Sequence, residues 1–202
     1  GFRDVVPPPM FAVVYSARAL GPGILDPEVG INFATMVHGG QEFVWGEPVC
    51  AGDTITTTAR VADISEKDGK GFYVFESTSV NQDADEAVRA KWTNIVPGAS
   101  GDFNPIHIDN EFAQMVGLPR NILHGLYSMA QVARAQTEAA GGDPRSLRRL
   151  QVQFRGMGVP EEEIVVTGTV RERDGERVVI DTEAYQGDNG IVRNAEAELE
   201  LS

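Results

Sequence analysis

The feature that most limits what this chain can become is an order of segments that occurs twice. Residues 10–20 carry a short helical pattern, which follows a Pro-rich start over residues 1–9 and is halted by Gly21-Pro22-Gly23. Extended segments are predicted near 41–45, 53–64, 72–82 and 87–96, and Ile55, Thr57, Ala59 and Val61 show the period of two that marks a strand. Turn residues at Lys67-Asp68-Gly69-Lys70 and over 81–86 separate them. The second half repeats the order. A helix is predicted over 124–140, with Leu126, Met129, Val132 and Ala133 on its apolar face and Gly141-Gly142 as its stop. Strands follow near 150–156, 164–173, 177–186 and 191–201. Each half is therefore one helix followed by four antiparallel-looking strands, an α+β organisation.

Register supports a duplication. Setting Gly1 on Gly117 places Val6 on Ile122, Pro8 on His124, Pro9 on Gly125, Met10 on Leu126 and Phe11 on Tyr127. With small gaps, Phe43 then falls on Phe154 and Asp68-Gly69 on Asp174-Gly175. The copies are expected over 1–96 and 97–202, and they differ at the helix start, where the first has Pro8-Pro9 and the second His124-Gly125. The seam between them is tight. The last strand of the first copy runs to Val96 and a new polar motif begins at Ser100, which leaves little chain for crossing between modules. Either the crossing is made at Pro97-Gly98 or a linker is missing from the sequence, and the second is preferred. Gly1, standing where a methionine would start a chain, points to a sequence that begins inside a longer one.

Composition narrows the class of partner. A formal charge of -13 argues against a nucleic-acid backbone, which needs a basic face. The single cysteine, Cys50, excludes an internal disulfide and offers no metal-ligand spacing, and a reducing cytoplasm fits it. No apolar run is long enough for a membrane span.

One stretch is too polar to build a core: Ala99-Ser-Gly-Asp102-Phe-Asn104-Pro-Ile-His107-Ile-Asp109, followed by His124-Gly125. Taken singly, Asp102 is ordinary turn chemistry, His107 between two isoleucines is an ordinary core or turn histidine, and Asp109 is a helix cap. Together they bring a carboxylate, an amide and an imidazole onto turn-forming sequence stiffened by Pro105, which is how two titratable groups are held for acid–base work. Gly125 admits two readings. Its N–H at a helix start, where the dipole adds partial positive charge, can serve an oxyanion; its missing side chain can equally serve close packing. His124 and Ser128 are candidate pocket-lining residues, and no Gly-x-Ser-x-Gly elbow surrounds Ser128. His38, in the first copy, reads as a loop or strand-edge residue. Arg148, Arg149 and Arg155 form one of few positive clusters in an acidic chain and are candidates for holding a carrier's phosphates.

The second half, through Ser100-Gly-Asp102-Phe-Asn104-Pro105-Ile-His107-Ile-Asp109, Ala113, Gly117, Ile122, His124 and Gly125, resembles the MaoC-like (R)-specific enoyl-CoA hydratases and (3R)-hydroxyacyl-thioester dehydratases. His38-Gly-Gly-Gln41-Glu-Phe43 and Pro48-Val-Cys-Ala-Gly52-Asp53 resemble the non-catalytic N-terminal repeat of double-hotdog members. The resemblance implies a double hotdog, each repeat an antiparallel sheet wrapped around a helix and the two packed as an internal pseudo-dimer. It implies that Asp102 and His107 hold and activate water, that Asn104 helps arrange them, and that Gly125 supplies the oxyanion N–H. Leu126 stands where methionine is commoner. The family's usual first strand and tyrosine-bearing turn before Ser-Gly-Asp are absent.

The expected activity is reversible hydration of a trans-2-enoyl thioester of CoA or acyl carrier protein, with the carrier as part of the substrate, no separate cofactor and no metal. A hotdog thioesterase and a non-catalytic thioester-binding subunit are the rival readings. Acyl chain length and a further homodimer stay open.

Overall fold

In the computed structural model, residues 4–33, 36–67, 70–97, 110–115, 117–118 and 120–201 are described. Eight strands form one antiparallel sheet in the order β2-β3-β4-β1-β5-β8-β7-β6. They are β1 (Val37–Trp45), β2 (Thr56–Lys67), β3 (Lys70–Val80), β4 (Glu86–Pro97), β5 (Leu147–Phe154), β6 (Val165–Asp174), β7 (Arg177–Gln186) and β8 (Asn189–Glu200). The sheet is two four-stranded halves joined where β1 pairs with β5, from Gly40 opposite Gln153 to Val44 opposite Arg149. Residues directly opposite one another point to the same face of a sheet. Gln41, Phe43 and Trp45 therefore share the inner face with Trp92, Ala90 and Val88 on β4, and Leu150 and Val152 on β5 continue it.

That inner face carries the helices. The first helical run passes from a 3-10 turn, Pro9–Phe11, through α1 (Ala12–Ser16) and a second 3-10 turn, Ala17–Leu20, into α2 (Gly21–Ile24). The expected stop at Gly21-Pro22-Gly23 does not occur. Pro22 falls in the first turn of α2, where a missing N–H costs no helical hydrogen bond, and the run ends only at Leu25. The second half has a short α3 (Asn110–Met115) and a continuous α4 (Gly125–Ala139). Ser128, Met129, Val132, Ala133 and Gln136 are buried along one stripe of α4, as the spacing of three and four requires. Gly117 at φ +89° closes α3, with Leu118 N donating to Ala113 O, and Gly141 and Gly142 in the same backbone region close α4.

Both helical layers share one core. Ala12 and Leu20 from the first run, Met129 and Val132 from α4, and Phe43, Trp92, Leu150 and Val152 from the sheet belong to a single apolar cluster. Met129, Val132, Phe43 and Leu150 are fully buried, each worth about 1.5–3 kcal/mol of transfer free energy. The strand seam and this shared core lock the two halves together, so groups from one half can be presented to the other. Among the described residues no helix is long and apolar enough to cross a membrane.

Candidate active site

The α4 start is built from its cap outward. Leu123 N donates to Gly158 O at 2.7 Å, tying the approaching chain to the segment after β5. His124 is extended (φ −66°, ψ 134°) and caps α4, its Nδ1 accepting from Leu126 N at 3.3 Å. An imidazole accepting at Nδ1 is neutral and carries its proton on Nε2. Tyr127 N and Ser128 N both reach His124 O, but Gly125 N makes no hydrogen bond to any described residue. It is one of the orphan donors of a helix of 15 residues, at the positive end of the dipole.

Gly125 lacks a side chain for a second, independent reason. A Cβ on it would lie 3.1 Å from the Phe154 ring, closer than ordinary packing allows. The two sequence readings of Gly125, donor and spacer, are therefore compatible: the ring of Phe154 seats the helix start, and the N–H beside it is left without a protein acceptor among the described residues.

Gly125, His124 and Phe154 border a cavity of about 310 Å³ whose other wall comes from the first half: Leu20, Ile24, Met36, His38, Trp92 and Asn94. His38 is the functional candidate that sequence reasoning missed. β1 begins at Val37 rather than near Gln41, so His38 is a strand residue. Strict alternation from Phe43 and Gln41 would turn it outward. A β-bulge intervenes: Gly40 lies opposite Thr93 and His38 opposite Asn94, leaving Gly39 as the additional residue and His38 on the inner face. A Cβ at Gly39 would come within 2.5 Å of Ile95 Cδ1, so any larger residue there requires the Ile95 side chain to move. The signal was present in the sequence as a Gly-Gly pair inside an alternating run, a bulge cue that reads as a loop when the strand is started too late.

The His38 ring stacks on Trp92 (centroids 5.7 Å apart, planes at 20°) and meets Phe154 edge-on at 5.1 Å. Its Nε2 lies 3.0 Å from Gly40 O. Burial pushes the imidazole down to about 4, and His124, whenever it is itself protonated, acts in the same direction, against weaker support for the proton from Gly40 O and the Gln41 side chain. His38 is thus neutral at pH 7, and because a carbonyl only accepts, its proton sits on Nε2.

Asp102, Asn104 and His107 lie outside the described residues. Ser128 is buried in the first turns of α4 and does not line this cavity. The three arginines are not gathered at Gly125. Arg149 projects from the outer face of the sheet, where it pairs with Glu42 at 2.7 Å and with Glu196, and donates to Gln151. Arg148 pairs with Glu200 at 2.6 Å, and Arg155 donates to Gln153 at 2.7 Å. The positive cluster of the sequence is largely compensated by carboxylates contributed by β1 and β8, which no local spacing reveals. Among the described residues no group of three or more His, Cys, Asp or Glu could hold a metal ion.

The architecture is a double hotdog. A MaoC-like dehydratase structure superposes on all of this chain (86% of its own length) with a TM-score of 0.88 at 16% identity. A double-hotdog protein of Mycobacterium tuberculosis covers 99% of this chain and 83% of its own, with a TM-score of 0.66 at 8% identity. At such identities these likenesses speak for the fold. Sequence carries the rest. Residues 80–190 match the MaoC like domain, and residues 1–91 match the FAS1-like dehydratase domain region. The chain belongs to the MaoC-like domain family. A protein of Saccharopolyspora erythraea described as UPF0336 is 33% identical over 102 residues, covering 50% of this chain and 65% of that protein. The fatty acid synthase beta subunit hexB of Dothistroma septosporum is 35% identical over 104 residues, covering 50% of this chain and 6% of that subunit. The matches reach just under two thirds of the length of the bacterial relatives.

Proposed function

We propose that this chain catalyses the reversible hydration of trans-2-enoyl thioesters, equivalently the dehydration of (3R)-hydroxyacyl thioesters, with the acyl group in the cavity between the two halves. The observation that carries the reading is Gly125 N–H: a donor at a helix N-terminus, without an acceptor among the described residues, beside a cavity with an apolar wall. Such a donor stabilises the negative charge that develops on a thioester oxygen when C3 is attacked. Support comes also from the Asp102, Asn104 and His107 motif and from membership of a family described as dehydratase-like.

In the forward direction the carbonyl oxygen accepts from Gly125 N–H. The Asp102/His107 pair holds one water, whose oxygen bonds to C3 while a proton reaches C2, so the C2–C3 double bond becomes single and nothing else is consumed. Asn104 orients that pair. The first half carries no counterpart of the motif and shapes the pocket. The carrier is CoA or acyl carrier protein.

The test is loss of enoyl-thioester absorbance on adding the protein to crotonyl-CoA. Wild type should turn over, and Asp102→Asn should slow hydration by roughly 10²–10⁴-fold, the usual contribution of a positioned acid–base group. Near wild-type hydration by Asp102→Asn would discard the mechanism. Release of free thiol in place of hydration would move the chain to the thioesterases.

A further inference from the structure

We propose that the first half of the chain supplies a substrate-binding residue: His38 Nδ1 accepts a hydrogen bond from an N–H or O–H donor of the bound acyl thioester. This rests on the thioester reading above. Three observations on geometry lead to it. The bulge at Gly39 turns His38 onto the inner face, where it lines the cavity that Gly125 and His124 close from the other half. The ring is fixed on two sides by Trp92 and Phe154, so its polar edge cannot swing away. Its Nε2–H is taken by Gly40 O at 3.0 Å, which leaves Nδ1 as the lone-pair acceptor.

Among the described residues no hydrogen bond is donated to that acceptor. Gln41, whose side chain lies beside the ring, directs its amide N–H groups to the carbonyls of Glu42 and Lys91, and its Oε1 can only accept. A fixed, neutral acceptor in an otherwise largely apolar wall selects a ligand with a donor. An acyl thioester offers two: the amide N–H groups of the pantetheine arm, present in every substrate, and the 3-hydroxyl, present only in the hydroxyacyl form.

The experiment compares dissociation constants of crotonyl-CoA and (3R)-hydroxybutyryl-CoA for the full chain and two variants, all in the Asp102→Asn background so that the two thioesters are not interconverted during the measurement. His38→Phe keeps the aromatic stack and removes the acceptor; His38→Asn places an oxygen near the position of Nδ1. One neutral hydrogen bond predicts weakening by several-fold to about tenfold in His38→Phe and recovery in His38→Asn. Weakening of both thioesters assigns the donor to the pantetheine arm, and weakening of the hydroxyacyl form alone assigns it to the 3-hydroxyl. Unchanged affinities in His38→Phe overturn the proposal. Should that variant fail to fold, the nitrogen resonances of wild-type His38 decide: the unprotonated Nδ1 signal moves when it accepts a hydrogen bond from added thioester, and a stationary signal overturns the proposal. Because these readouts are binding and not turnover, a chain that binds thioesters without hydrating them defeats the proposed reaction and leaves this inference standing.

Discussion

The two halves start their main helices in opposite ways. In the second, His124 caps α4 through Nδ1 and Gly125 presents an N–H without an acceptor among the described residues to a cavity of about 310 Å³. In the first, Pro8 and Pro9 occupy the corresponding sequence positions; Pro8 gives no side-chain cap, and Pro9 has no N–H to give. Trp45 closes over that start, its indole Nε1 donating to Pro9 O at 3.1 Å, and the adjoining cavity is only about 60 Å³. Tyr15 in that cavity is held neutral, its hydroxyl pushed up to about 12 by burial. One module has thus kept a donor and room for a ligand, while its copy has filled both with proline and aromatic side chains. The first half closes its own helix start and lends walls to the cavity beside Gly125.

The comparison breaks most sharply if the first copy's solution is transplanted into the second. Gly125→Pro keeps a residue suited to a helix start but removes the N–H, whereas Gly125→Ala keeps the N–H; both crowd the Phe154 ring. Hydration of crotonyl-CoA should fall about 10²–10³-fold further in the proline variant than in the alanine variant. Equal losses, with recovery of both on adding Phe154→Ala, would reduce Gly125 to a packing residue.

A smaller effect tests what the first half lends. The unfolded chain takes up a proton on His38 near its ordinary value of 6.5, and the folded chain refuses it until about 4. The stability this confers is therefore complete above pH 6.5 and is lost as the pH falls toward 4, by at most ~3 kcal/mol at 1.36 kcal/mol per pKa unit. Urea unfolding across that window should show the decline, and His38→Phe should flatten that part of it. The least effect is expected from restoring an N–H in the first copy. Pro9→Gly should cost about 0.4–1 kcal/mol of stability through the freer unfolded chain and leave hydration unchanged, as read by thermal melting and by the absorbance assay.

The segment order was legible because each module must bury an alternating or three-to-four-spaced apolar face. Residues 177–186 were placed as the structure has them, and the α4 stripe followed from Met129, Val132 and Ala133. The helix start at His124-Gly125 was legible too, since capping is a local matter. Asp102, Asn104 and His107 remain sequence assignments, lying outside the described residues.

What the sequence determined by itself was the repeated order of segments, its strand count and the difference between Pro8-Pro9 and His124-Gly125, each set by patterns among neighbours a few positions apart. Only tertiary structure decided which groups meet. It brought β1 against β5, so that Phe154 lies between Gly125 and His38. It turned His38 inward through a one-residue bulge, because the side-chain period of two makes an added residue reverse the face. It also set Arg149 against Glu42 and Glu196, carboxylates 107 and 47 residues away in the chain. Contacts of that separation follow from strand register, which local periodicity leaves undetermined.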